Sequence, residues 1–178
     1  RIAFASSNKE TMDIFVAGPQ GQSPIRVIKA PNKQWVNTDP AWSPDGTRFA
    51  LTGGPTGRPG IYLANASGGA LQPVATGFSY STEPRWNPVF SNQLVFTYQS
   101  GSLRLGVIDL AAGSVRPIET ASPAALAHAS WCADGRHLVA AQGDWLAVVD
   151  SVTGKVTRLT PVSLGRCSEP DCWTPRAR

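Results

Sequence analysis

The chain has 178 residues, of which 42% are hydrophobic and only 16% are charged, and its formal net charge is +4. The hydrophobic share is too high for a disordered chain, and 17 glycines with 15 prolines are too many for a coiled coil. The basic residues are scattered, which predicts no nucleic-acid partner, and no apolar run is long enough for a membrane-spanning helix. A turn-rich, all-β globular protein is what remains.

The first 30 residues have the pattern expected of short β-strands. The stretches "RIAFASS", "MDIFVAG" and "SPIRVIK" are short, apolar and separated by polar or Gly- and Pro-containing links. They predict three successive strands, with Ile2 and Phe4 among the core residues of the first. Because the chain opens at Arg1 without a methionine, we expect it to be a processed or excised piece of a longer product.

The next stretch, "PAWSPDGTRFALTG", predicts a strand that ends near Trp42, a tight turn and a second strand. The turn has a physical basis, since Pro44 presets its own φ, Asp45 accepts nearby backbone hydrogen bonds, and Gly46 adopts a left-handed conformation. "GIYLAN" and "LQPVAT" then predict a third and a fourth strand.

The same order of strands returns along the chain. Trp86 and Trp131 follow Trp42 at intervals of roughly 45 residues, and Trp173 comes after a similar interval. After Trp86 and Trp131 come the stretches "QLVFTY" and "HLVAAQ", then "LRLGVID" and "WLAVVD", then "SVRPIE" and "KVTRLT". Four short strands per period are typical of a β-propeller blade.

We therefore predict one domain over residues 1–178, an all-β propeller of four four-stranded blades. Blades start near Trp42, Trp86 and Trp131, and the region of Trp173 supplies the strand that the blade begun at Ile2 lacks. This C-terminal strand would close the ring and remove its open edges. Two arrangements stay open: a monomer, or a dimer in which two chains form one eight-blade ring.

The stretches "PAWSPDGTRFAL…GIYLANASGG" and "RIAFASSNKETMDIFVAGPQGQ" resemble the TolB-type, WD-like propeller repeat, and the resemblance extends over essentially the whole chain. The repeated residues specify a scaffold, so function is expected in the loops. We expect the four repeated tryptophans to pack between blades as core, with an aromatic ligand platform as the alternative.

The predicted connections between blades are long, and they share a face with the loops between second and third strands. We predict that this loop face binds a protein, peptide or glycan. Its candidate binding residues are Trp35, Arg58, Phe78, Tyr80, Tyr98, Trp145 and Arg166.

A polar residue precedes each innermost strand and is usually followed by proline. In a four-blade ring these residues would gather at one mouth of the central channel. They are Asp39, Glu83, His128 and Glu169. Three carboxylates and an imidazole could hold a cation, or a Lys or Arg of a partner; the alternative is that each caps its own strand.

The three cysteines bear on the redox state of the compartment in which the protein works. Cys167 and Cys172, in "GRCSEPDCW", are predicted to form a small disulfide loop, with Cys132 left free. That implies an oxidising, extracytoplasmic location, periplasmic or secreted; two free thiols in the cytosol are the alternative. The two histidines are not spaced with these cysteines as zinc ligands.

Motifs for catalysis and for cofactor binding are absent from the sequence, which has no nucleophile elbow, zinc-protease motif, phosphate-binding loop or dinucleotide fingerprint. We therefore predict a non-catalytic binding module without a cofactor. The alternatives are an accessory or gating propeller of a larger hydrolase of the prolyl-oligopeptidase type, or a sensor domain of a membrane-anchored protein.

Overall fold

The computed structural model describes residues 1–7 and 11–161, which confirm the all-β prediction. In this part of the chain, no helix is long and apolar enough to cross a bilayer. The strands are β1 (Ile2–Ser7), β2 (Met12–Ala17), β3 (Ile25–Ile28), β4 (Trp35–Trp42), β5 (Arg48–Pro55), β6 (Gly60–Asn65), β7 (Gly68–Val74), β8 (Ser81–Trp86), β9 (Gln93–Ser100), β10 (Ser102–Asp109), β11 (Ser114–Pro117), β12 (Ala127–Trp131), β13 (His137–Gln142), β14 (Trp145–Asp150) and β15 (Val156–Pro161).

Within the described residues the strands form four sheets, each built from strands that follow one another in the chain. We call them the first blade (β1–β3), the second (β4–β7), the third (β8–β11) and the fourth (β12–β15). The last three have four strands and the first has three; the strand predicted around Trp173 lies outside the described residues.

Register confirms that the sequence repeat is one repeated geometry. The second and third strands of a blade pair Ile2 with Ala17 in the first blade and Phe49 with Ala64 in the second. The fourth blade pairs Leu138 with Val149 at the same place. Since one residue of slip would exchange the two faces of a strand, this shared register keeps the same repeat positions on the same face.

The chain divides into two compact units, Arg1–Pro84 and Arg85–Arg178. The N-terminal unit has a core formed by Ile14, Val16, Ile28, Phe49, Leu51 and Ala64, against which Trp42 packs. In the C-terminal unit Trp131 belongs to a core with Val95, Leu105, Leu138 and Val149, among others. Both cores draw alternate residues from paired strands, as half-buried sheets require.

The core interpretation of the repeated tryptophans is confirmed for Trp86 and Trp131, which are each 7% exposed. One predicted core residue is placed differently. Ile2 is 45% exposed, because β1 has a neighbouring strand on only one side among the described residues. Phe4 is half-buried, and its ring stacks on that of Phe15 at 5.8 Å.

The tight turn after each tryptophan is held by side-chain oxygens. Asp45 accepts hydrogen bonds from the Ser43 hydroxyl, the Thr47 amide and the Thr47 hydroxyl, which lower its pKa to about 2. In the third blade, where the Asp-Gly pair is absent, the Asn87 side-chain oxygen accepts the amides of Val89 and Phe90. One turn geometry is therefore stabilised by different residues.

Candidate functional site

The inner strands carry an irregularity just before the tryptophan. Pairing of β4 with β5 shifts between Thr38 and Ala41, and pairing of β12 with β13 shifts between Ala127 and Ser130. Such bulges re-aim side chains, and they occur often beside functional sites.

Each predicted channel-mouth residue that the structure describes has a left-handed backbone. The φ angles are 52° for Asp39, 57° for Glu83 and 54° for His128. For a residue other than glycine, this conformation costs roughly 1–2 kcal/mol relative to the usual right-handed backbone. Strain repeated at equivalent positions motivates a functional hypothesis for them. Sequence reasoning identified these positions but not their backbone conformation.

Within the N-terminal unit, Asp39 and Glu83 line one cavity of about 400 Å³. The two carboxylates come from successive inner strands, β4 and β8. Hydroxyl groups make up most of the remaining polar lining. The lining residues are Val36, Thr38, Asp39, Thr52, Thr56, Gly57, Pro59, Tyr80, Thr82 and Glu83.

Threonine hydroxyls contact both of these left-handed residues. The Thr38 hydroxyl donates to Asp39 Oδ2 at 2.9 Å. The Glu83 amide donates to the Thr52 hydroxyl at 2.9 Å, although the two residues are 31 apart in sequence. The first bond orients the Asp39 carboxylate, and the second fixes the Glu83 backbone, before any ligand arrives.

The loop between β5 and β6 forms another side of the cavity. The Thr56 amide and hydroxyl both donate to the Gln34 carbonyl, at 2.6 and 3.0 Å. The Ser81 amide donates to the Pro59 carbonyl at 3.0 Å. These bonds hold the loop against the strands that carry the two carboxylates.

Four of the predicted loop-face residues belong to this unit. Tyr80 lines the cavity, Arg58 is exposed beside the lining residues Gly57 and Pro59, and Phe78 is half-buried. Trp35 is half-buried at the start of β4, where its indole donates to Asn37 Oδ1 at 3.0 Å and its ring meets Tyr62 edge-on at 5.7 Å. Tyr80 thus lines the cavity itself, and Arg58 and Trp35 are sequence neighbours of lining residues.

Two predicted loop-face residues lie in the C-terminal unit. Tyr98 is only 6% exposed, so its ring belongs to the packed interior. Burial and the negative charge of Glu119 raise the pKa of its phenol. Trp145 is half-buried, with the Arg158 guanidinium 5.5 Å from its ring, and Arg158 Nε donates to Gln142 Oε1 at 2.9 Å.

The remaining predicted residues are not among the residues that line the cavity. His128 belongs to the C-terminal unit. Arg166, Cys167, Glu169 and Cys172 lie outside the described residues. Cys132 is half-buried and is not part of a disulfide. Over residues 1–7 and 11–161 no group of three or more His, Cys, Asp or Glu side chains is placed to hold a metal ion.

Sequence reasoning missed the threonines. A signal was present, because Thr38-Asp39-Pro40 and Thr82-Glu83-Pro84 repeat the order Thr, acid, Pro. Chemically, the cavity offers two carboxylates, several hydroxyls and the Tyr80 phenol. Carboxylates accept strong, charge-assisted hydrogen bonds, so the arrangement is suited to a cationic group.

The sequence profile of the TolB beta propeller domain family matches residues 1–178. A protein TolB homolog of Chlorobaculum tepidum is 31% identical over 97 residues, which cover 54% of this chain and 21% of the relative. The Tol-Pal system protein TolB of Bordetella pertussis is 32% identical over 75 residues, 42% of this chain and 16% of the relative. The matches thus span about a fifth or less of these relatives.

Solved structures agree on the fold. TolB from Acinetobacter baumannii superposes with a TM-score of 0.76 at 24% identity, over 91% of this chain and 41% of that one. A puromycin-hydrolyzing peptidase of Mycobacterium tuberculosis has a TM-score of 0.64 at 20% identity, over 93% and 28%. Blade-like antiparallel sheets, a repeated register and a profile match over the full length lead to one conclusion: the chain belongs to the TolB beta propeller domain family.

Proposed function

We propose that this chain is a non-catalytic binding module, which captures a protein or peptide through the cavity of the N-terminal unit and the loops around it. The observation that carries the proposal is that Asp39 and Glu83, from successive repeats, line one cavity of about 400 Å³. A Lys or Arg side chain of the partner would enter this cavity and pair with both carboxylates.

The surroundings supply what a binding surface needs beyond charge. Aromatic residues in partly buried positions are the usual anchors of protein interfaces, and Tyr80, Phe78 and Trp35 are half-buried here. The folded scaffold already holds Asp39 and Glu83 in their strained backbone conformations. Binding of a partner therefore costs little conformational free energy at this site.

Selection of a random-peptide phage library against the protein tests this function. We expect enriched peptides to carry Lys or Arg. We expect Asp39→Asn with Glu83→Gln to weaken their binding about a hundredfold or more, because two charge-assisted bonds are lost and each contributes on the order of 1.5–3 kcal/mol. Isothermal titration calorimetry with one enriched peptide measures the change.

Asp45→Asn is the matched control, since it removes a carboxylate from a tight turn that does not line the cavity. It should leave the affinity unchanged. Peptides without basic residues, or peptides that bind the double variant as tightly as the wild type, would refute the proposal. A glycan array probed in parallel decides whether the partner is a carbohydrate instead.

A second candidate is an accessory or gating propeller of a larger hydrolase. It is favoured by the likeness to the puromycin-hydrolyzing peptidase, of which this chain covers 28%. The flanking coding sequence distinguishes the two. A hydrolase domain with a Gly-x-Ser-x-Gly motif, continuous with this chain, would support gating.

We also propose that the blades close into a ring through the region of Trp173, and that the protein works outside the cytoplasm. Closure is favoured by the repeat spacing and by the first blade, which has no inner strand among residues 1–7 and 11–161. The location is favoured by the spacing of Cys167 and Cys172. Mass spectrometry with and without reductant tests the disulfide, and a native mass of 18.9 kDa would exclude a two-chain ring.

A further inference from the structure

One face of the fourth blade brings an arginine, a tryptophan and a glutamine together. Gln142, Trp145 and Arg158 come from the neighbouring strands β13, β14 and β15. Gln142 lies directly opposite Trp145, so their side chains project from the same face of the sheet. Arg158 pairs with Ala147, which follows Trp145 by two residues, and therefore projects from this face as well. We call Gln142, Trp145 and Arg158 the arginine cluster.

Two contacts hold the Arg158 guanidinium in place. Its Nε donates to Gln142 Oε1 at 2.9 Å, and its Cζ lies 5.5 Å from the centre of the Trp145 ring. The residue is nevertheless exposed. In the part of the chain that the structure describes, no carboxylate pairs with this guanidinium. The edge formed by its two Nη groups is therefore positioned but has no counter-ion there.

The first blade has an arginine at the equivalent position. Arg26 pairs with Phe15 of β2, as Arg158 pairs with Ala147 of β14. Phe15 and Ala147 are equivalent by the register that the blades share. In both blades the pairing shifts immediately before that partner, so the two arginines follow the same β-bulge. The comparison thus shows what this backbone does with an arginine elsewhere in the chain.

In the first blade the arginine has a carboxylate partner. Arg26 Nη1 lies 3.2 Å from Asp13 Oδ2, and Asp13 is fully buried. Asp13 lies opposite Ser6 as Trp145 lies opposite Gln142, which makes Asp13 the equivalent of Trp145. The fourth blade therefore has the arginine of an ion pair, with an indole ring in the place of the acid.

Gln142 is buried at a cost that its own contacts do not offset. Its side chain is 3% exposed, and within residues 1–7 and 11–161 its Nε2 has no hydrogen-bond partner. A buried donor normally has a partner, so this amide destabilises the fold. What the amide does provide is the acceptor for Arg158 Nε, which leaves the Nη edge for a ligand.

We propose that the arginine cluster is a binding site for a carboxylate. The carboxylate accepts two parallel hydrogen bonds from the Nη groups of Arg158, and the group that carries it lies beside the half-buried Trp145 ring. One guanidinium matches the single charge and the planar shape of a carboxylate. The site belongs to the C-terminal unit, so it does not depend on the cavity of the N-terminal unit.

Titration of the full-length protein with benzoate, followed by two-dimensional NMR, tests the site. We expect the Arg158 Nε and Trp145 indole signals to shift and to saturate at millimolar benzoate. Arg158→Gln and Trp145→Phe assign the two signals. Benzamide is the matched neutral probe, because it has the same ring without the charge, and it should shift neither signal at the same concentrations.

Substitution of the arginine measures its share of the binding. Arg158→Gln should raise the dissociation constant of benzoate about tenfold or more, because the charge-assisted bonds are lost. Arg136→Gln is the matched control, since Arg136 is also exposed but already pairs with Asp150 at 2.7 Å. It should leave the affinity unchanged. Thermal unfolding of both variants checks that they are folded.

Gln142→Met separates positioning of the guanidinium from stability. The variant should be at least as stable to heat as the wild type, because an unpartnered buried amide is replaced by an apolar group of similar size. Its dissociation constant for benzoate should nevertheless rise about threefold or more, since Arg158 Nε loses its acceptor. Unchanged affinity would overturn the positioning role.

A second acid identifies the source of the carboxylate. The capped peptide acetyl-Gly-Glu-Gly-amide carries a side-chain carboxylate only. If it binds more tightly than benzoate, the ligand is an acidic residue of a peptide; if benzoate binds more tightly, the ligand is a free organic acid. Equal binding of benzamide and benzoate would overturn the proposal, as would unshifted signals with both acids or an unchanged affinity of Arg158→Gln.

Discussion

The second and fourth blades share one framework and differ in the chemistry that it presents. Asp39 and His128 occupy equivalent bulges, with φ angles of 52° and 54°. The turn glycines that follow, Gly46 and Gly135, both have φ of 67°. The backbone is thus the same whether the bulge carries a carboxylate followed by proline or an imidazole followed by alanine. The comparison teaches that sheet and turns set this geometry, which leaves the bulge side chain available for binding.

The largest expected effect concerns the glycines between the third and fourth strands of these two blades. A Cβ at Gly68 would overlap the Val27 carbonyl oxygen, and a Cβ at Gly154 would overlap the Glu119 carbonyl oxygen. Each glycine therefore lies against the backbone that ends the preceding blade. We expect Gly68→Ala and Gly154→Ala each to lower the free energy of unfolding by about 2–5 kcal/mol, from overpacking and left-handed strain together. Urea denaturation measures it.

Gly113 supplies the control for this prediction. It has φ of 62° at the corresponding turn of the third blade, but a Cβ there would meet nothing within 4 Å. Gly113→Ala should cost only the left-handed conformation, about 1 kcal/mol. Equal losses for all three variants would show that close approach between blades does not explain these glycines.

A smaller effect is expected at the bulges themselves. Because Asp39 and His128 have left-handed backbones, the glycine variant at each position should be more stable than the alanine variant, by about 1 kcal/mol. Thermal unfolding of the four single variants compares them. If the alanine variant is as stable as the glycine variant, or more stable, at either position, the backbone there is not strained. The two blades would then not be equivalent at this position.

The smallest effect is the pH dependence of the tight turns. Hydrogen bonds from the His137 side chain and from the His137 and Arg136 amides lower the pKa of Asp134 from 3.8 to about 2, and Asp45 has a similarly lowered pKa. The folded pKa is below the unfolded value, so this stabilisation is complete above pH 3.8 and is lost as the pH falls toward 2. Urea midpoints over this range should fall less steeply for Asp134→Asn and Asp45→Asn. Variants that keep the wild-type slope would contradict the assignment.

Local sequence signals predicted most of the scaffold. "GIYLAN" and "WLAVVD" coincide with β6 and β14, residue for residue. The strand-turn-strand unit at Trp42 was recognisable because Pro, Asp and Gly each have a conformational preference of their own. Burial was harder to predict, since Tyr98 was expected on a surface and is 6% exposed, whereas Ile2 was expected in the core and is 45% exposed.

Only part of the candidate site could be predicted from the sequence. The acidic positions Asp39 and Glu83 stood out from their place in the repeat, but nothing local showed that they share a cavity. That depends on contacts between distant segments, such as the bond from the Glu83 amide to the Thr52 hydroxyl. The threonines of the lining were overlooked because each one reads as an ordinary strand residue.

By itself, the sequence determined where the strands and the tight turns lie, because side-chain alternation and turn chemistry act over a few neighbouring residues. Tertiary structure alone decided which side chains surround a common space and which backbones are strained. These properties arise where segments distant in sequence meet. The energies of such interactions depend on distances that no local sequence pattern encodes.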